Sequence, residues 1–129
     1  MKKKILIVIA DYYQNIAKGL LNSSLSLIPK ESSVKIIKVP GVFEIPVTIS
    51  KNIKKYDAFL ALGCVIKGKT PHFDFISQAS TNAIMDLSIH SRKPIGNGII
   101  TCLSMKQAII RKKKGAEAAK AVISVLSQK

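Results

Sequence analysis

The 129 residues of this chain are enough for one domain, which we expect to span residues 1–129. Apolar residues make up 47% of the sequence, enough for one packed core, which argues against a disordered protein. No uninterrupted apolar run reaches the roughly 18 residues of a membrane-spanning helix, so we expect no membrane partner. The charge balance is extreme, because 21 lysines and arginines against 7 acidic residues give a formal net charge of +14.

The excess of positive charge favours an anionic partner without saying which kind. The lysines are spread along the whole chain, and only Arg92 and Arg111 are arginines, the residue best suited to paired contacts with guanine or phosphate. The two short lysine runs, 2–4 and 112–114, have no aromatic residues among them. We therefore expect no nucleic-acid partner and favour small anionic metabolites, with a basic nucleic-acid-binding module as an alternative function.

Cys64 and Cys102 are too few for a disulfide framework and too far apart for a Cys-x-x-Cys pair that binds metal or exchanges disulfides. Residues 5–10 are apolar and follow three lysines, but this run is short, ends at Asp11 and lacks a convincing signal-peptide cleavage site. It is therefore predicted to be a strand. We expect a soluble, reduced protein in the cytoplasm.

Apolar stretches and turn-forming residues follow one another in a pattern typical of alternating strands and helices. In chain order, the predicted elements are strand 4–10, helix 15–28, strand 33–39, helix 45–54, strand 58–66, helix 72–89, strand 95–101, helix 104–111 and helix 116–127. In the long helix, the stripe predicted to face the core consists of Ile76, Ala79, Ala83 and Leu87. Gly115 is predicted to end one helix before the last helix begins.

Four apolar strands that alternate with helices imply parallel pairing and right-handed crossover connections. The predicted fold is therefore α/β, a three-layer sandwich of flavodoxin type in which a four-stranded parallel sheet has helices on both faces. Ligands of such sheets bind beyond the carboxyl ends of the strands. The loops in which we expect functional residues are therefore 11–15, 40–44, 67–74 and 102–104.

Residues 63–70, GCVIKGKT, match the phosphate-binding pattern Gly-x-x-x-x-Gly-Lys-Thr letter for letter. A true loop of this kind curls around phosphates, whereas here the variable positions continue an apolar strand, so we reject a nucleotide-binding loop. Lys69 and Thr70 either hold an anion at the start of the following helix or serve only as a solvated residue and a helix cap. His72 is likewise either structural or a proton carrier beside that anion.

Two segments closely resemble a known family. Residues 39–46, VPGVFEIP, and 61–74, ALGCVIKGKTPHFD, are similar to the 6,7-dimethyl-8-ribityllumazine synthases. The similarity continues through 94–98 (PIGNG), 107–111 (QAIIR) and 115–119 (GAEAA), and so covers nearly the whole chain. Because this family has a flavodoxin-like subunit and catalyses the penultimate step of riboflavin biosynthesis, the resemblance implies both.

The resemblance implies a transferase that condenses 5-amino-6-(D-ribitylamino)uracil with 3,4-dihydroxy-2-butanone 4-phosphate and releases phosphate and water. In this family, imine formation, phosphate loss and ring closure proceed without a metal or redox cofactor, so we expect neither. Within the same superfamily, a riboflavin synthase of the pentameric type, which acts on two lumazines, is the alternative enzyme.

The resemblance also implies roles for individual residues. Tyr12 takes the place of the aromatic residue, usually Phe, that stacks on the pyrimidine ring. The other residues implied to bind the ribitylaminouracil are Val42, Phe43, Glu44, Cys64, Val65, Ile66 and Asn97. Those implied to bind the butanone phosphate are Lys69, Thr70 and Arg111, and His72 is implied to be the catalytic residue that transfers protons.

A homopentamer with each active site between adjacent subunits is a further implication of the resemblance. In that arrangement the neighbouring subunit supplies Asn97 and Arg111, the latter to the phosphate. The sequence leaves open whether pentamers assemble into larger particles. One departure from the family pattern lies beside the ring site, where residues 11–13 are Asp-Tyr-Tyr and the family more commonly has Arg-Phe-Asn.

Overall fold

A computed structural model of the chain describes residues 2–68 and 71–128. Its elements, in chain order, are β1 (Lys4–Ala10), α1 (Gln14–Leu25), β2 (Ser33–Val39), a short 3-10 turn (Val42–Glu44), α2 (Ile45–Lys51), β3 (Ala58–Ile66), α3 (His72–Ser91), β4 (Ile95–Cys102), α4 (Met105–Ile110) and α5 (Lys114–Leu126). The first three strands have the predicted bounds. Helices α1 and α2 end earlier than predicted, because the residues that follow them form tight turns instead.

The four strands form one parallel sheet in the order β2-β1-β3-β4. The central strands β1 and β3 are buried almost from end to end, which explains why their sequences are apolar without alternation. Strand β2 is at the edge and mostly exposed, and two lysines, Lys35 and Lys38, protect that edge from pairing with another sheet. The predicted α/β fold of flavodoxin type is confirmed.

Side chains of β1, β3 and β4 divide between two hydrophobic clusters, one on each face of the sheet. In β1, Ile5 and Ile7 contribute to the cluster that includes α1 and α5, whereas Leu6 and Val8 contribute to the one that includes α2 and α3. Helices therefore cover both faces, and the carboxyl ends of the strands stay open between them. Within the described residues, no helix is both long and apolar enough to cross a bilayer.

Helix α5 packs very closely on β4 and α1, because glycines stand at the contact points. A Cβ on Gly96 would lie 2.5 Å from the carbonyl oxygen of Ala118, and a Cβ on Gly115 would overlap the carbonyl oxygen of Leu20. The prediction that Gly115 separates the last two helices is wrong, since it lies in the first turn of α5, which begins at Lys114. Its missing side chain permits close helix packing and does not end a helix.

The core-facing stripe of α3 differs from the prediction. Ala79 was predicted to face the core but is exposed, and the buried positions of this helix are Ser80 and Ile84. The Ser80 hydroxyl is satisfied by donating to the carbonyl oxygen of Ile76 at 2.7 Å. A pattern based on apolar residues cannot identify a buried serine whose hydrogen bond stays inside its own helix.

Candidate active site

A cavity of about 640 Å³ lies at the carboxyl edge of the sheet, where the segments after β1, β2 and β3 meet. Parallel sheets bind their ligands at this edge, and the volume is in the usual range for small-molecule sites. The cavity is lined by Tyr12, Tyr13, Gly41, Val42, Phe43, Glu44, Cys64, Val65, Ile66, His72 and Ile76.

The end of β3 forms one wall of the cavity through Cys64, Val65 and Ile66. Burial, together with the neighbouring Cys102, raises the pKa of the Cys64 thiol to about 12, although Arg111 acts in the opposite direction. The thiol is therefore neutral near pH 7 and is not a nucleophile. These residues belong to a regular strand, so the prediction that the variable positions of the motif at 63–70 continue an apolar strand is confirmed as far as Ile66.

The segment after β2 forms a second wall. The 3-10 turn Val42–Glu44 runs directly into α2, and Val42 is buried against β3. This fit depends on Gly63, because a Cβ there would lie 2.9 Å from Cγ2 of Val42. Phe43, in contrast, is 64% exposed. The turn thus presents an exposed aromatic ring and the carboxylate of Glu44 to the cavity.

Two consecutive tyrosines form the third wall. Tyr12 is 75% exposed, whereas Tyr13 is half-buried and packs against the core cluster that includes α1 and α5. Their ring centroids are 4.9 Å apart and their planes meet at 83°, an edge-to-face arrangement. Burial raises the pKa of Tyr13, and Cys64 and Tyr12 add to this effect, so the phenol is neutral near pH 7.

His72 is the first residue of α3 and lines the cavity with an exposed side chain. The helix fixes its backbone, and an imidazole is the side chain that enzymes use most often for proton transfer. Lys69 and Thr70, the residues expected to hold the phosphate, lie outside the described residues.

Asn97 and Arg111 are absent from the described lining of this cavity. Asn97 lies on β4, and its side-chain oxygen accepts a hydrogen bond from the Ile99 amide at 3.0 Å. Arg111 follows α4 and donates from Nη1 to the carbonyl oxygen of Thr101 at 3.2 Å. A single chain therefore brings together the other described residues of the predicted site, but not these two.

Sequence reasoning missed three residues of the lining, Tyr13, Gly41 and Ile76. The first two are neighbours of predicted residues in loops that follow strands, so their positions in the chain could have identified them. Ile76 lies four residues after His72, a spacing that places both on one face of a helix.

The cavity can hold a planar, partly apolar molecule between aromatic and aliphatic side chains, with few polar groups to orient it. Glu44 can accept hydrogen bonds from hydroxyl or amino groups, and His72 can transfer protons. Among residues 2–68 and 71–128, no three His, Cys, Asp or Glu side chains form a cluster suited to a metal ion. Fold and cavity together define a flavodoxin-like α/β protein with a cavity of small-molecule size at the carboxyl edge of its sheet.

Comparison with known proteins narrows this class to one family. A family model described as 6,7-dimethyl-8-ribityllumazine synthase matches residues 2–129. A protein of that name from Bartonella tribocorum is 42% identical over 140 residues, which cover 100% of this chain and 93% of the relative. Its namesake from Bartonella henselae is 43% identical over 138 residues, covering 99% and 89%. The namesake from Cutibacterium acnes is 38% identical over 134 residues, covering 96% and 80%. The chain belongs to the 6,7-dimethyl-8-ribityllumazine synthase family, as its resemblance predicted.

Proposed function

We propose that this chain forms 6,7-dimethyl-8-ribityllumazine from 5-amino-6-(D-ribitylamino)uracil and 3,4-dihydroxy-2-butanone 4-phosphate, with release of phosphate and water. Membership of the family supports the activity. The structural observation that carries it is the grouping of Tyr12, His72, the turn 42–44 and the strand end 64–66 around one cavity. These are the positions that the resemblance assigns to the ribitylaminouracil and to proton transfer.

The pyrimidine ring of the uracil substrate stacks on Tyr12 in this proposal, since that ring is exposed and borders the cavity. Cys64, Val65 and Ile66 surround the heterocycle with apolar surface and with the backbone groups of the strand end. The turn after β2 faces the ribityl chain, whose hydroxyl groups can donate to the carboxylate of Glu44. Val42 and Phe43 contact the same chain.

The phosphate of the second substrate is proposed to lie near the start of α3, at Lys69 and Thr70. The amino end of a 20-residue helix favours a negative charge, and the net charge of +14 attracts an anionic substrate. Arg111 of a neighbouring subunit completes this site. In its own chain Arg111 is exposed, which leaves its guanidinium accessible to another subunit.

Exposed apolar side chains support a homopentamer with shared active sites. Phe75 and Ile89 on α3 are 67% and 65% exposed, and Ile110 at the end of α4 is 72% exposed. Burying such side chains against a neighbour is favourable, and in the family arrangement the same neighbour brings Asn97 and Arg111 to the cavity. The proposal includes a cytoplasmic location, which the two unpaired cysteines favour.

In this reaction the protein mainly has to orient the two substrates and transfer protons. The attacking amine belongs to the uracil, so no protein nucleophile is needed. Holding both substrates in one cavity can contribute up to about 7–11 kcal/mol. A positioned His72 contributes about 10²–10⁴-fold as acid and base in imine formation and ring closure. Arg111 and the start of α3 stabilise the charge of the departing phosphate.

The test is to incubate the purified protein with both substrates and to follow lumazine fluorescence together with inorganic phosphate. We expect the two products in equal amounts, and no product when either substrate is left out. Riboflavin formed from lumazine alone would support the pentameric type of riboflavin synthase instead. No product from either reaction would contradict the proposal.

A further inference from the structure

The aromatic pair Tyr12–Tyr13 connects the mouth of the cavity to the protein core. Tyr12 is exposed at the mouth, and Tyr13 contacts it edge to face while packing against the core cluster beneath it. We propose that Tyr13 is a positioning residue, which holds the Tyr12 ring in the orientation that stacks on the pyrimidine substrate. This inference rests on the proposed function and adds a residue to the uracil site.

An exposed aromatic side chain needs such a support. With 75% of its surface in solvent, Tyr12 has few protein contacts to select one side-chain rotamer. A ligand that stacks on it must then restrict its rotation, which reduces the affinity. A neighbouring ring in an edge-to-face contact favours one orientation before the ligand arrives, and this reduces the entropy lost on binding.

Tyr13 itself is well fixed. It is the residue immediately before α1, and its carbonyl oxygen accepts the Ala17 amide at 2.9 Å, which anchors its backbone to the first helical turn. Its side chain is half-buried and packs on the core. The raised pKa of Tyr13, caused by burial and by Cys64 and Tyr12, agrees with this enclosed position. A fixed ring can orient a mobile one, and the reverse does not hold.

A double-mutant cycle separates positioning from direct contact. The variants are Tyr12→Leu, Tyr13→Leu and the combination of both, and the measurement is the Kd of 5-amino-6-(D-ribitylamino)uracil alone, by calorimetry without the second substrate. We expect Tyr13→Leu to raise the Kd about three- to ten-fold, the range of one edge-to-face contact. In the Tyr12→Leu background, the same substitution is expected to change the Kd by less than about two-fold.

Two further variants control for damage to the fold. Tyr13→Phe keeps the ring and is expected to bind the uracil nearly as well as the wild-type protein does. Tyr56→Leu removes another edge-to-face partner, since Tyr56 and Phe59 have centroids 6.1 Å apart at 67°, but neither lines the cavity. It is expected to lower stability and to leave the Kd unchanged.

Each outcome bears on one of the two proposals. Losses that add in the double variant, or a normal Kd for Tyr13→Leu, would overturn the positioning role while the proposed function stands. A Kd raised equally by Tyr56→Leu would overturn it as well, because the effect would then come from lost stability. If the wild-type protein does not bind the uracil, the proposed function fails, and this inference fails with it.

Discussion

Replacing Gly115 by alanine is expected to destabilise the protein, although alanine is the better helix former. A Cβ at this position would overlap the carbonyl oxygen of Leu20 and lie 2.6 Å from Oγ of Ser23, both on α1. The backbone oxygen cannot rotate away, so α1 and α5 must separate. A gap of about 1 Å removes a quarter to a half of the dispersion energy between facing atoms, and overpacking of this kind costs about 1–3 kcal/mol. The gain in helix propensity, at most about 1 kcal/mol, offsets only part of this cost.

Gly19 offers a matched control on the opposite helix. It lies in α1, and the atoms nearest to a Cβ there all belong to the side chain of Lys112, with its Cδ in overlap, its Cγ at 2.9 Å and its Cβ at 3.1 Å. A flexible lysine side chain can move, so Gly19→Ala is expected to be neutral or to stabilise by up to about 1 kcal/mol. The assay is urea unfolding followed by far-ultraviolet circular dichroism, at one protein concentration for all variants because association affects stability. A Gly115→Ala protein as stable as Gly19→Ala would refute the reasoning.

Three further predictions concern the site. His72→Ala should lower the rate of lumazine formation about ten-fold or more with the fold retained, and an unchanged rate would remove it from catalysis. Arg111→Ala should raise the KM of the butanone phosphate in steady-state assays, because a charge-assisted contact is lost, and should leave that of the uracil unchanged. Cys64 should resist alkylation near pH 8 in the native protein and react after unfolding, since burial raises its pKa to about 12. Because the folded-state pKa is the higher one, the stability that this thiol contributes is lost as the pH rises toward 12, and unfolding midpoints measured across that range test the sign.

The fold could be predicted because local sequence and burial agree. The apolar runs of β1 and β3 are too short for buried helices, and in the structure both strands are central. Gly115 and Ser80 could not be interpreted correctly, because their roles depend on contacts that a hydrophobic pattern does not show. Gly115 contacts the backbone of another helix, and the Ser80 hydroxyl donates a hydrogen bond within its own helix.

The site, like the fold, could be predicted from the sequence only in part. Parallel strands place their carboxyl ends at one edge, so Tyr12, Glu44 and His72 meet although the chain separates them widely. The support that Tyr13 gives to Tyr12 could not be predicted, since an edge-to-face contact depends on side-chain rotamers that a sequence pattern does not show. The assignment of Arg111 to a neighbouring chain is a property of an assembly, and residues of one chain cannot define it alone.

Mixing two impaired variants tests most directly whether each active site combines this cavity with a neighbouring subunit. His72→Ala and Arg111→Ala chains are unfolded together in equal amounts, refolded, and assayed for lumazine at a low concentration of the butanone phosphate. In a ring with shared sites, about a quarter of the sites then combine an intact His72 with an intact Arg111, so about a quarter of the wild-type activity should return. A mixture no more active than the average of the two variants refolded separately would contradict the shared site.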